Sequence, residues 1–182
     1  PGIVNDPAIM NESSVWLKKE LQLPEGNWSV ATLYLNGARF NPKVYINGDL
    51  VSQKMGGMAR TKHDIEHHSF KPGSTVTLEI ELESLKDMSE ENASYIPKAD
   101  HWRSNVSSHL WDDVEIFYHG GTSIDRMIPF TDLDGDKADF HIYSKLINNK
   151  TVPTTVKAEI LQEGTVVVSG TQDFEGIKTV VS

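Results

Sequence analysis

Residues 40–58, FNPKVYINGDLVSQKMGGM, decide how the rest of the chain is read. In an extended segment Val44 and Ile46 fall on one face and Lys43 and Tyr45 on the other. Asn47-Gly48 follows, a pair suited to the type I′ turn because both central residues there need positive φ. Leu50 and Val51 then carry the chain back as a second strand. Gly56-Gly57 marks a point where a side chain does not fit or where the backbone turns sharply. The stretch is a hairpin, and its setting decides what kind.

Outward from it, strands dominate. Residues 75–82 alternate Val76, Leu78, Ile80 and Leu82 with Thr77, Glu79 and Glu81, so one face is buried and the other wet. Residues 15–23, VWLKKELQL, read as a strand, and 24–27, PEGN, as the turn into an extended run over 28–35. Residues 59–70 read as polar and irregular, and KPGS at 71–74 as a turn. Between 83 and 108 periodicity disappears, leaving a polar excursion with Tyr95 and Trp102 inside it and Trp111 just beyond. Strand character returns over 114–118, 123–130, 139–146, 155–162 and 165–169, with Glu163-Gly164 as a hairpin turn. Helix signals are almost absent, so the class is all-β.

Composition narrows the partners. With 26 acidic against 17 basic residues the net charge is −9, and no basic block offsets it, so nucleic acid is excluded as a partner. No run of about 18 apolar residues exists, so no membrane span is expected. The absence of cysteine removes disulfides and thiolate metal sites. A break near residue 121 divides the 182 residues into a complete sandwich over 1–121 and a remainder, 122–182, that is short of the roughly 100 residues of an immunoglobulin-type sandwich. The final IKTVVS reads as a strand without a following turn, as in a piece of a longer protein.

The order of these features resembles the N-terminal part of glycoside hydrolase family 2, the β-galactosidase, β-mannosidase and β-glucuronidase group. The V-Y-V-N-G-x-x-V hairpin of that family is matched by Val44-Tyr45-Ile46-Asn47-Gly48-Asp49-Leu50-Val51. The strand VWLKKELQLP, the Gly56-Gly57 pair, Asp64-Ile65 and KPGSTVTLEI follow its pattern in order, and HLWDDVEI at 109–116 matches its closing G-I-W-R-x-V-x-L segment loosely. His109 and Asp112 stand there in place of Gly and Arg. The resemblance covers roughly residues 15–146. It implies a jelly-roll, galactose-binding-like β-sandwich followed by an incomplete immunoglobulin-like domain, both non-catalytic. The barrel that bears the family's paired glutamates is not in this sequence. Carbohydrate and that catalytic barrel are then the implied partners, and the compartment leans towards bacterial periplasm or secretion.

Residue chemistry separates the candidate sites. The resemblance singles out Asp100, Trp102 and Arg103, since a D-x-W-R segment of the β-galactosidase branch reaches the sugar site and its Asp takes part in cation binding. An aromatic face suits a pyranose, and Asp and Arg hydrogen-bond its hydroxyls. The bland alternative is a loop pinned by a packed Trp and an ion pair. Glu90-Glu91 are read as solvated loop acids and not a catalytic pair, which needs carboxylates about 5–5.5 Å apart. His63, His67 and His68 have metal-like spacing but are read as an exposed polar loop. Asp132–Asp136 is read as an acidic interdomain turn, with Gly at the wrong position for a calcium loop. Trp16 and Trp28 are read as packing residues. No catalytic residue, metal or cofactor is assigned. Two other functions stay open, a stand-alone carbohydrate-binding module and a surface or adhesion sandwich, and uncovered C-terminal strands are expected to promote self-association.

Overall fold

The structure is a computed structural model that describes residues 12–98, 109–135, 137–148 and 154–174. The chain forms two compact units, Pro1–Tyr118 and His119–Ser182. In the first unit the strands are β1 (Ser14–Gln22), β2 (Val30–Leu35), β3 (Ala38–Arg39), β4 (Lys43–Ile46), β5 (Asp49–Gln53), β6 (Thr61–Ile65), β7 (Thr75–Glu83), β8 (His109–Leu110) and β9 (Val114–His119). A four-stranded sheet has the order β1-β7-β4-β5 and a three-stranded sheet the order β6-β2-β9, while β3 pairs with β8. The fold is an all-β sandwich.

Alternation explains why these strands form one core. Val76, Leu78, Ile80 and Leu82 of β7 face inward with Val44 and Ile46 of β4, against Ala31, Leu33 and Leu35 of β2 and Ile65 of β6. The hairpin at 47–48 has the positive φ values that its turn requires, 52° at Asn47 and 88° at Gly48. A register shift between Val44 and Tyr45 sets Tyr45 opposite Leu50 and leaves Val51 to pack on the core. The Gly56-Gly57 pair meets both of its requirements. Gly56 takes φ 106°, and a Cβ on Gly57 would lie 2.5 Å from Cδ1 of Phe40, a fully buried ring.

Two expectations are corrected in this unit. Residues 61–65 are a regular strand, β6, which pairs with β2 from Ala31↔Ile65 to Leu35↔Thr61. Its alternation is real but written in polar letters, with Thr61, His63 and Ile65 facing inward. His63 is therefore not on an exposed loop: it is fully buried. Its ring nitrogens meet two hydroxyls, Nδ1 at 2.9 Å from Ser52 Oγ and Nε2 at 3.0 Å from Thr61 Oγ1. Burial and then the Lys54 charge lower its pKa to about 4, so the ring is neutral. His67 is also mostly covered, its side chain 11% exposed and Nε2 3.0 Å from Asp49 Oδ2. Residues 83–98 are not featureless either, containing a 3-10 turn at Leu85–Asp87 and a one-turn helix α1 at Glu90–Ala93.

Among the described residues the second unit forms two hairpins, β10 (Thr122–Asp134) with β11 (Lys137–Asn148), and β12 (Thr154–Gln162) with β13 (Thr165–Phe174). All four strands run past the lengths that their apolar residues suggested, because backbone pairing continues through polar positions. The acidic stretch is the tip of the first hairpin rather than an interdomain turn: Asp134 pairs with Lys137, Gly135 takes φ 61°, and Asp136 lies outside the described residues. Glu163 (φ 50°) and Gly164 (φ 81°) form the second turn, as the sequence suggests.

Two outcomes follow for stability. Gly57→Ala should cost about 1–3 kcal/mol in urea denaturation, because the Phe40 ring is enclosed and cannot retreat. Gly120→Ala, where nothing lies within 4 Å, should stay within about 0.5 kcal/mol. The His63 pKa is lowered by folding, so its contribution is complete above the unfolded value of about 6.5 and is lost as pH falls towards 4. Stability should drop by up to about 3 kcal/mol over that window and then level off. His63→Gln should remove this part of the slope; an unchanged slope in that variant would place the acid sensitivity elsewhere.

Candidate functional site

Asp100, Trp102 and Arg103 lie outside the described residues. What the structure shows is how the chain on either side is anchored. At the upstream end, Phe40 and Glu83 exchange backbone hydrogen bonds: Glu83 N donates to Phe40 O at 2.9 Å and Phe40 N to Glu83 O at 3.3 Å. The Glu83 carboxylate accepts from Asn41 Nδ2 at 2.8 Å and from Asn92 Nδ2 at 3.1 Å to each oxygen. It thereby ties the one-turn helix α1 to the corner before β4. Asn41 is 1% exposed and is bound twice to Gly56, with Asn41 N donating to Gly56 O at 2.8 Å and Gly56 N to Asn41 Oδ1 at 2.7 Å. Ile96, buried at 4% exposure, fixes the segment further.

At the downstream end β8 pairs with β3, Arg39 opposite His109 and Ala38 opposite Leu110. Trp111 then lies over Gly37, where a Cβ would collide with its indole, and Trp111 N donates to Gly37 O at 3.0 Å. Arg39 directs Nε and Nη2 at Met58 Sδ, at 3.0 and 2.8 Å. Both ends of the excursion thus converge on residues 37–41. Glu83 is a carboxylate held rigidly there, and its oxygens already accept three amide contacts. That makes it a pin and not a base. Glu90 and Glu91 occupy the first turn of α1, which buries no residue and is capped by Ser89 Oγ accepting from Asn92 N at 3.2 Å.

The histidines do not converge. His63 faces the core, whereas His67 pairs with Asp49 and stacks on His68 with ring centroids 4.1 Å apart. Among the described residues no group of three or more His, Asp or Glu could hold a metal ion. Asp132 and Asp134 are exposed and two residues apart on β10, so they share one face.

The two tryptophans separate. Trp28 packs as expected, 4.8 Å from Tyr118 and 6.2 Å from Phe70 by ring centroids, with Nε1 donating to Pro24 O at 3.0 Å. Burial raises the pKa of Tyr118 beneath it. Trp16 instead lies on the outer face of the four-stranded sheet, 53% exposed, its ring centroid 5.0 Å from that of Tyr45. Tyr45 donates its hydroxyl to Glu81 Oε2 at 2.8 Å. Burial, then that hydrogen bond and the Glu81 charge, push the phenol up to about 12. Tyr45 and Glu81 were not singled out from the sequence. The readable signal was that Trp16 falls in phase with Lys18 and Glu20 on the polar side of its strand.

No family model and no curated protein matches the sequence. Solved structures do match. A GH2 β-galacturonidase from Eisenbergiella tayi aligns with 97% of this chain at 11% identity and a TM-score of 0.72, over 30% of its own length. A β-D-mannosidase from Dictyoglomus thermophilum aligns with 96% of this chain at 14% identity and a TM-score of 0.65, over 24% of its length. For a Ruminococcus gnavus β-glucuronidase the values are 90%, 17% and 0.63, over 29% of its length. This chain therefore spans under a third of the enzymes it resembles, and what it has in common with them is an all-β fold.

Proposed function

We propose that this chain is a non-catalytic N-terminal portion of a family 2-like glycoside hydrolase, in which it supports the catalytic barrel and helps to shape its sugar pocket. The observation that carries this reading is coverage: 90–97% of the chain matches glycosidases of which it spans only a fraction. In this reading residues 1–121 are the jelly-roll, galactose-binding-like domain and 122–182 the beginning of an immunoglobulin-like one. The parent reaction is hydrolysis of a terminal β-linked sugar through a glycosyl-enzyme intermediate. Asp100, Trp102 and Arg103 form part of one wall of the pocket. The anchoring of residues 83–98 and 109–111 on the corner at 37–41 supports that role, because a wall presented to another domain must be held at both ends.

The test is made in a parent protein that includes the barrel. Asp100→Ala and Trp102→Ala should each lower kcat/KM at least about tenfold, as expected from losing a hydrogen bond to a charged group or an aromatic face. Thermal stability should be unchanged. Full activity in both variants would return the segment to a structural role, and a parent without a barrel would overturn the reading.

The C-terminal strands supply a second partner in the same reading. Leu161, Val166, Val167 and Val168 are 46–57% exposed on a two-stranded ribbon. Apolar residues beside unpaired strand edges favour pairing with a second copy of the chain. Sedimentation should show concentration-dependent association of the full chain but not of a version ending at Gly121. A clean monomer at full length would overturn this.

A further inference from the structure

The chain leaves β7 through a 3-10 turn and then α1, neither of which buries a residue. A helix of four residues does not hold its own shape in water, so the place of α1 is set by what its side chains reach. Asn92 supplies that reach, its Nδ2 donating to both oxygens of Glu83 at 3.1 Å. The same carboxylate accepts from Nδ2 of the buried Asn41 at 2.8 Å. Three side chains thus run from the core of the sandwich to a surface turn. Ile96, also buried, fixes the chain on the far side of α1, so Glu83 decides where the turn between them sits. We propose that Asn92 and Glu83 are positioning residues, whose contact sets how the chain between β7 and Ile96 is presented to the sugar pocket and thereby sets KM. This rests on the reading above that the chain is part of a family 2-like glycoside hydrolase, and neither side chain touches the sugar in it.

The contact is built for orientation more than for stability. Because α1 buries nothing, releasing it leaves the pairing of β7 with β1 and β4 and the core beneath them in place. An amide held on an ionised carboxylate is a directional, charge-assisted bond, and here the carboxylate is itself held by Asn41. Without that bond the turn samples several placements, of which a fraction is competent to complete the pocket. Apparent affinity for substrate falls by that fraction, while the complex, once formed, is the same. KM therefore rises and kcat holds, the pattern of lost uniform binding. A general loss of folded enzyme has the opposite signature, lowering kcat and leaving KM where it was.

The test begins with hydrogen exchange on the full chain. Asn92→Asp sets two carboxylates against each other at the contact. The amides of Ala93 and Ser94, which donate to Ser89 O at 2.8 Å and Glu90 O at 3.1 Å, should then exchange at least about tenfold faster, and those of β7 at their former rate. Combining Asn92→Asp with Glu83→Gln restores an amide–carboxylate pair of reversed polarity and should restore protection. In a parent enzyme that includes the barrel, Asn92→Asp should raise KM about three- to tenfold with kcat within about twofold, and the double variant should bring KM back. Unchanged exchange in Asn92→Asp, or an unmoved KM while Asp100→Ala lowers kcat/KM, would overturn the positioning role alone. A loss that the double variant does not reverse would place the effect outside this contact and equally overturn it. An unmoved kcat/KM in both Asn92→Asp and Asp100→Ala would overturn the family reading and the positioning role with it.

Discussion

The first unit depends on the enclosure of Phe40. Its ring occupies space that exists only because residue 57 has no side chain, and its backbone is locked to Glu83 in both directions. The neighbouring Asn41 then does with its side chain what a strand would do with its backbone, accepting from Gly56 and donating to Glu83. Segments distant in sequence meet in this way around one buried ring. Such a junction gains from having the Asn41 amide and backbone N–H met, since leaving them unmet in a buried position would cost more than the contacts contribute. The chain leaving β7 and the strand β8 are both tethered to this corner.

The fold was readable wherever hydrophobic alternation and turn chemistry agreed. In β7 four apolar residues alternate with polar ones, and Asn47-Gly48 admits few turns other than the one found. Reading failed at β6, where the inward positions are Thr61, His63 and Ile65. A histidine whose nitrogens are met by two hydroxyls is as much a core residue as a leucine, but its letter signals solvent. The shift between Val44 and Tyr45 was also invisible, since a bulge is set by how two strands meet and not by either alone. Of the site, Asp100, Trp102 and Arg103 were reached through resemblance, and no local pattern could place them. Trp16 reads as a core or edge packing residue, and it packs on Tyr45 from the edge strand β1 with about half its surface open.

The two units show how differently pairing and packing contribute. In the first, inward-facing residues of two sheets cover one another, and burial specifies register. In the second, long ladders from Thr122↔Asn148 and Thr154↔Phe174 define register through backbone bonds, while Val166, Val167 and Val168 stay open to solvent on both faces of their ribbon. A two-stranded ribbon is marginal alone, so its apolar residues represent stability still to be gained from a further surface.

The seam between β5 and β6 is closed by side chains that depend on one another. Ser52, Thr61 and His63 come from the edges of different sheets, yet each completes the hydrogen bonding of another. An apolar replacement at position 63 alone would remove a partner from two half-buried hydroxyls, and loss of either hydroxyl would leave a nitrogen of the fully buried ring unmet. The three positions are therefore energetically coupled. Substitutions there should be non-additive, so exchanging the histidine for a hydrocarbon calls for changes at both neighbours as well.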